Sequence, residues 1–485
     1  MGRKDSPTIT VRFGGGSMSK RDLFNRQSTL TSLRLNIHTL MLLSIFLISL
    51  FWVGMYIHRH EPYNSDLWWN TTGDNGALFL RSYAVLVIAS ICYVLFSLIR
   101  FKKPLPRLPT AEDLAKAKKV IENSKYSVSN LSLLADKQLL FSDSGNSFIM
   151  YQVHGRSWIM MSDPIGDDNE IDALIKKFIE LSQDYGGSIV FYEVRDENRF
   201  IYNKHGFQLL KIGEEAIVDL DDFGLQGRKN SKYRQIMSRG EKDGLKYEVI
   251  AKSDVATILP ALKEISDIWL KEKGSIEKGF SLGYFDEDYL KNFDCAVVKY
   301  ENNIIAFANL WQSGLKHELS IDLMRYKTIY NNEGKEIKNV MDFLFVNLFV
   351  WGKEQGFHDF NLGMAPFTGF DNTDLGEAEF NKTQSATVSQ TTGKPVTSDS
   401  INSHGRARSE DIDPKWRLIT KTVTKYGKDY YNFEGLRQFK DKYKPRWEPR
   451  YIGIETGLRA GVKPLQGLTD TTLLISGGLG SFVKK

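Results

Sequence analysis

The sequence predicts a mixed α/β protein with a largely antiparallel sheet, built from two units of one kind and preceded by a two-helix membrane hairpin. Three observations lead there. Helix-period stretches alternate with short apolar runs of strand length, many closed by glycine. Two nearly uncharged apolar runs precede residue 100. A basic stretch separates two repetitions of the α/β pattern.

The chain has 485 residues, too many for one small domain, and 42% of them are hydrophobic, which suits packed cores. Its net charge of +5 is mild, so local clustering matters more than the total. Two cysteines, Cys92 and Cys295, exclude a disulfide framework or a zinc finger and suit a reducing compartment.

Residues 1–33 read as a cytoplasmic tail whose first seventeen residues look unstructured. Residues 34–100 are predicted to hold two transmembrane helices. "IHTLMLLSIFLISLFWVGMYI" (37–57) has the length of about 20 residues that crosses a bilayer core. "SYAVLVIASICYVLFSLI" (82–99) is shorter but is lengthened by residues 77–80. Lys20, Arg21, Arg26 and Arg34 precede the pair, and Arg100, Lys102, Lys103 and Arg107 follow it. The positive-inside rule then places both ends, and everything after residue 107, in the cytoplasm. Trp68 and Trp69 suit the outer interface, and His58 and His60 have no ligand-spaced partners there.

"KKPLPRLPT" reads as a linker, with Thr110 capping a helix from Ala111. The first unit, 108–227, continues with two strands around His154-Gly155, the helix "IDALIKKFIELSQDYG" and the buried strand "SIVFYEV". "RFIYNKHGFQLLKIGEEAIVDL" closes it as helix, glycine turn and strand. The second unit, 246–457, repeats the scheme. A helix at "VATILPALKEISDIWLKEK" precedes a hairpin turning at Glu301–Asn303 and the strand "HELSIDLMRY". An apolar helix stopped by Gly356 and the strand "HDFNLGMAP" follow. Residues 371–413, rich in Thr, Ser, Asn, Asp and Gly, are predicted to be a disordered insertion. Residues 458–485 are read as a C-terminal tail.

Between the units, 228–245 reads as a basic linker helix. Arg228, Lys232, Gln235 and Arg239 share one face, with Lys229 beside them. Such a stripe suits a phosphate backbone, and it equally suits an ordinary charged surface. "FEGLRQFKDKYKPRWEPRYIGI" (433–454) interleaves cations with rings before an apolar strand. It reads either as a solvated face or as a pocket for an anion. No Walker motif, HExxH or GxSxG occurs, so nucleotide hydrolysis, zinc proteolysis and the common hydrolase elbow lose support. Neither a metal nor a cofactor is expected.

Five blocks together resemble a known family. They are "RFIYNKHGFQLLKIGE", "GRKNSKYRQIMSRGEKDG", "SIDLMRY", "MDFLFVNLFVWGKEQGFHDFNLGMAP" and "YYNFEGLRQFKDKYKPRWEPRYI". In this order they resemble the bacterial phosphatidylglycerol lysyltransferases, over about 108–457. The first block resembles the end of an acetyltransferase-like (GNAT-type) domain. The resemblance implies tandem GNAT-type domains joined by a basic helix. It implies transfer of an aminoacyl group, lysyl above all, from aminoacyl-tRNA to a hydroxyl of phosphatidylglycerol, which confers resistance to cationic peptides. The nearest approach to a CoA-pyrophosphate loop is "QDYGGS" (183–188), which lacks the last glycine, so acetyl-CoA is not the expected donor.

Exchanging one ester for another needs no ATP, but the attacking hydroxyl must lose a proton and an oxyanion must be stabilised. "SIDLMRY" supplies the candidates Asp322 and Arg325, as a catalytic pair or as a structural ion pair. Lys440, Lys442 and Arg446 are candidates for phosphate contact or oxyanion stabilisation. Phe439, Tyr443 and Trp447 would wall the pocket or stack on the terminal adenine. Asn361 is a candidate strand-end pocket group, and Asp342 a weaker one that would otherwise cap its helix. Arg228, Lys229, Lys232 and Arg239 are the tRNA candidates. The competing expectation is a Fem-type transferase that acylates a peptidoglycan precursor. Only two spans are found, so synthesis without lipid flipping is expected of this chain.

Overall fold

A computed structural model of the chain describes residues 10–13, 16–19, 44–53, 56, 83, 85–92, 106–366, 368, 433–455 and 463–475. Residues 371–413, read as a disordered insertion, lie outside these. So does about half of each expected membrane span. Helical residues are described at 44–53 and 85–92, and among the described residues no helix is long and apolar enough to cross a membrane. The tail departs from expectation. Thr10–Phe13 (β1) and Gly16–Ser19 (β2) pair as an antiparallel hairpin.

Leu108–Gln152 and Ser157–Lys485 form one compact unit. Eleven strands make its sheet, in the order β3-β4-β5-β6-β13-β7-β12-β11-β10-β9-β8. They are β3 (Gln138–Phe141), β4 (Phe148–His154), β5 (Ser157–Met161), β6 (Ser188–Arg195), β7 (Phe207–Asp219), β8 (Leu245–Ile250), β9 (Cys295–Tyr300), β10 (Asn303–Gln312), β11 (Glu318–Tyr326), β12 (Asp359–Pro366) and β13 (Arg446–Glu455). The β5–β6 and β11–β12 pairs are parallel, and each is linked through a helix, Ile171–Asp184 and Val340–Glu354 respectively. Exchanging β5 with β11, β6 with β12 and β7 with β13 maps the central strand order onto itself. The repetition seen in the sequence is therefore a topological one.

The boundary between the units needs correction. The split into 108–227 and 246–457 follows chain order, whereas the sheet interleaves the halves. β13 lies between β6 and β7, antiparallel to both. β7 in turn pairs with β12. Each half closes against the other half's last strand. The expected tail at 458–485 contains a further helix, Lys463–Ile475, whose Asp470 accepts a hydrogen bond from Ser157 Oγ at 2.6 Å.

Strand alternation explains how helices cover both faces of β9–β11. Ala296, Val298, Ala306, Ala308 and Leu310 point into one core, with Val340, Leu344 and Phe349 of the helix Val340–Glu354. Cys295, Val297 and Phe307 point into another, with Leu259, Leu262 and Ile265 of the helix Val255–Glu272. The linker, read as one helix over 228–245, is a 3-10 turn at Arg228–Asn230 and an α-helix at Ser231–Lys242, with β8 beginning at Leu245. That helix packs closely on Val340–Glu354, since a Cβ on Gly240 would lie 2.3 Å from the Phe343 ring.

Candidate active site

β11 carries the two residues selected from "SIDLMRY", and a bulge re-aims them. The pairing with β10 runs Ala308↔Met324 and then Leu310↔Ile321, so Asp322 and Leu323 together oppose Asn309. Ile321 and Met324 consequently both pack on the Val340–Glu354 core, while Leu323 packs on the opposite one.

Asp322 is partly buried. Its carboxylate accepts the backbone N–H of Gly283 and the hydroxyl of Tyr289, each at 2.8 Å. Trp311 Nε1 donates to the same hydroxyl at 2.9 Å, completing a short relay. Burial pushes the Asp322 carboxyl up to about 6, against the pull of those two donors and of the Lys137 and Arg325 charges. Gly283 must be glycine because of its close approach: a Cβ there would lie 1.9 Å from Asp322 Oδ2. Arg325 is buried and does not grip Asp322. Its guanidinium forms a bidentate pair with Glu277 at 2.8 and 2.6 Å, bonds Ser266 Oγ, and lies over the Trp269 ring. Glu277 accepts the Phe285 N–H at 3.2 Å, so Arg325 anchors the loop that presents Gly283. Arg325 thus fixes Asp322 through a loop rather than by contact.

A second buried cluster sits where β7 and β13 meet. Arg450 pairs with Glu215 and, at 3.2 Å, with Glu448. Asn361 Nδ2 donates to Glu215 at 3.2 Å and to Glu318 at 3.1 Å, while its Oδ1 accepts Gly363 N–H at 2.7 Å. Burial alone would raise the Glu215 carboxyl, but Arg450 and Arg195 outweigh it and hold it below the usual range. Lys440, 5% exposed, donates to the carbonyls of Gly363 at 2.8 Å and Met364 at 3.0 Å. Burial brings its ammonium down to about 8, against the charges of Glu215 and Glu193. Glu193, at the register shift between β6 and β13 and with φ +62°, is pushed up to about 8 by burial and by Glu215. The loop at 279–285 spans both clusters. Ser281 hydrogen-bonds Tyr192, the Phe280 ring lies 5.9 Å from that of Tyr192, and Gly283 holds Asp322.

The C-terminal stretch corrects several expectations. Tyr443 walls no pocket. It is 2% exposed, its ring lies 5.1 Å from Phe349 and 5.6 Å from Phe345, and its hydroxyl donates to Asp342 at 2.7 Å. Phe439 packs on Phe345 and on the Tyr443 ring itself. Asp342 therefore anchors residues 442–443 instead of capping its helix, with Lys442 Nζ at 3.3 Å. Arg446, proposed for phosphate, forms a bidentate pair with Asp359 and a further pair with Glu448 at 3.1 Å. Trp447 bonds Asp441 at 3.0 Å under the Arg437 guanidinium. Of these candidates, Lys440 and Asn361 join the buried cluster, and the others hold the seam between helix and sheet. Arg228, Lys229, Lys232 and Arg239 are all exposed; Arg239 has Asp243 at 3.7 Å.

Sequence reading missed Tyr289, Lys137, Glu193, Glu215, Arg195, Arg450 and Glu277. One signal was available. Glu193 and Arg195 are the two charges of the otherwise apolar stretch "SIVFYEVR", and a buried charge needs a partner.

Residues 118–454 match the model of the family described as phosphatidylglycerol lysyltransferase, C-terminal. The phosphatidylglycerol lysyltransferase of Bacillus subtilis (strain 168) is 30% identical over 368 residues, 76% of this chain and 38% of that protein. The chain thus spans well under half of the curated relatives it matches. The solved L-PGS of Bacillus licheniformis is 30% identical, with a TM-score of 0.56 over 77% of this chain and 99% of that one. The C-terminal DUF2156 domain from Agrobacterium fabrum is 35% identical, with a TM-score of 0.60 over 76% and 98%. The chain belongs to the phosphatidylglycerol lysyltransferase C-terminal family.

Proposed function

We propose that this chain transfers an aminoacyl group, most simply lysyl, from aminoacyl-tRNA to a hydroxyl of phosphatidylglycerol at the cytoplasmic face of a bacterial membrane. The product lipid is less negative and binds cationic antimicrobial peptides less well. The observation that carries this reading is the family match across 118–454, which contains the whole Asp322 cluster. Asp322 combines partial exposure, two fixed donors and a carboxyl raised to about 6, which suits a group that takes a proton near neutral pH. The lipid hydroxyl oxygen bonds to the acyl carbon and its proton passes to Asp322. The bond from the acyl carbon to the ribose oxygen breaks, and that oxygen recovers a proton. One ester replaces another, so the step runs close to thermoneutral.

Three further features support the reading. The interleaved halves, each with a parallel strand pair joined through a helix, fit tandem GNAT-type folds with the basic helix between them. The exposed Arg228, Lys229, Lys232 and Arg239 fit a tRNA backbone. The described residues of the two apolar runs expose Trp52, Val85 and Ile88, which suits lipid contact and two membrane spans.

The test is one reaction. Membrane-embedded protein is mixed with phosphatidylglycerol and, separately, radiolabelled lysyl- or alanyl-tRNA, and the lipid fraction is counted. Label arriving from one tRNA, and absent with Asp322→Ala, supports the reading and names the donor. No lipid label from either donor, in protein shown to be folded, overturns it for those donors and directs attention to peptidoglycan acceptors.

A further inference from the structure

We propose that Asn309 is a positioning residue for Asp322: its side-chain oxygen pins the strand bulge that turns the carboxylate toward Tyr289 and Gly283. The inference rests on the transfer reaction proposed above for its kinetic arm.

Asn309 lies on β10 directly opposite the extra residue of β11. A bulge leaves one strand N–H without its ladder partner. Here that donor is Leu323 N–H, next to Asp322, and Asn309 Oδ1 accepts it at 2.8 Å. The side chain is 1% exposed. Its Nδ2 is buried and has no hydrogen-bond partner among the described residues. A buried, unsatisfied amide donor is costly, while the side-chain oxygen of the same residue satisfies the strand N–H that the bulge frees. The bulge and the asparagine therefore belong together. Their joint effect is to move Asp322 out of simple alternation, so that Ile321 and Met324 share a face and Asp322 meets the loop at 279–285. Two residues on, Trp311 supports the same carboxylate through Tyr289. β10 thus steadies Asp322 twice, once through backbone and once through side chains. The charged and titratable groups around Asp322 come from several elements: Tyr289, Lys137, Asp136 beside Lys137, Arg325 on its own strand, and Glu277 paired to Arg325.

The test compares Asn309→Ala and Asn309→Asp with the unaltered chain in the lipid-labelling reaction across pH. Asn309→Ala should lower kcat roughly tenfold to a hundredfold with little change in KM for aminoacyl-tRNA. Its acidic limb should move below pH 6, because a released carboxylate regains solvent. Asn309→Asp keeps an acceptor for Leu323 N–H. It should recover part of the lost rate, with the limb moved to higher pH by the added negative charge. Carbon-detected NMR of the aspartate carboxyls, with Asp322→Asn assigning the resonance, reads the same displacement without any turnover. An unlabelled lipid pool with the unaltered chain overturns the transfer reading and leaves the NMR arm to decide the role of Asn309. An Asp322 titration and a kcat unmoved in both variants overturn the proposal. So does a rate that falls only in step with the folded fraction. If Asn309→Ala fails to fold, Asn309→Asp carries the comparison alone, and its unchanged acidic limb overturns the proposal.

Discussion

The neighbourhood of Asp322 and the stretch 433–454 both supplied candidate site residues in the sequence, yet the fold holds their charges in opposite ways. Arg446 is bound by Asp359 and Glu448, Lys442 by Asp342, and Tyr443 is sunk among Phe345 and Phe349. Among the described residues no cation forms an ion pair with Asp322; neutral donors hold it and burial raises its carboxyl. A dense run of cations and rings turned out to mark a seam, where each charge answers one across the fold. Asp322, at the bulge in β11, is held by the Gly283 N–H and the Tyr289 hydroxyl instead. Charge density along a chain measures how much neutralisation the fold must supply, whereas an incompletely neutralised group is available to a substrate.

The largest expected effect follows from that contrast. Asp322→Asn should cut lipid labelling by about a thousandfold, within the range for a removed general base. It should also leave the protein at least as stable. Burial raises the native Asp322 carboxyl to about 6 from 3.8, so the native state binds more protons than the unfolded one between those values. Stability from this group therefore falls as pH rises from about 4 to 6. The neutral amide removes that penalty, a gain of about 1–3 kcal/mol at pH 7 on the conversion of 1.36 kcal/mol per decade. Thermal melts at pH 4 and pH 7 would read it. A variant both inactive and destabilised at pH 7 would make Asp322 another member of a structural seam.

Next in size is Gly283→Ala. A methyl 1.9 Å from Asp322 Oδ2 must displace either the carboxylate or the loop, and Tyr289 Cε1 at 3.0 Å blocks the retreat. Activity should drop roughly a hundredfold, as for a misplaced reacting group, with the sheet intact by circular dichroism. Unchanged activity would mean that the donor from Gly283 is dispensable.

How much of this was legible in the sequence depends on the range of the interaction. Local signals were sufficient for Thr110, whose side chain and Asp113 form a reciprocal cap, and for the hairpin at Glu301–Asn303, where Glu301 and Asn302 both have positive φ. They were sufficient for Gly356, with φ +82° after the helix Val340–Glu354. Asp322 was selected together with Arg325 from the "SIDLMRY" block that carries the family resemblance. The insertion of β13 between β6 and β7 was not, because register between strands more than two hundred residues apart leaves no local period. Tyr289 and Gly283 were hidden for the same reason: they reach Asp322 from 33 and 39 residues away. Arg446 was misread because its neutralising partner, Asp359, lies on another strand.

Arg446→Ala sharpens the other side of the contrast. It leaves Asp359, 6% exposed, without its bidentate partner. Breaking a buried pair costs about 3–5 kcal/mol. The half-exposed guanidinium is partly screened, so roughly 1–3 kcal/mol is expected from denaturant titration. The rate per folded molecule should stay within about twofold, since the loss is structural. A large fall in rate at unchanged stability would restore Arg446 as a substrate contact.

The smallest effect belongs to the exposed stripe. Lys232→Ala removes a solvated charge from the helix Ser231–Lys242 and should leave stability within about 0.5 kcal/mol. If Lys232 meets a tRNA phosphate, the slope of log affinity against log salt should become shallower by about one, uniformly across tRNA sequences. Asn230 offers the contrasting control on the adjoining turn, since its amide is bound to the Gln226 carbonyl at 3.0 Å. Lys232→Ala and Asn230→Ala together separate charge from local structure: a salt slope altered only by Lys232→Ala assigns the stripe to nucleic acid. A slope altered by neither makes this face an ordinary solvated surface, and the cations available to tRNA must then be sought elsewhere on the chain.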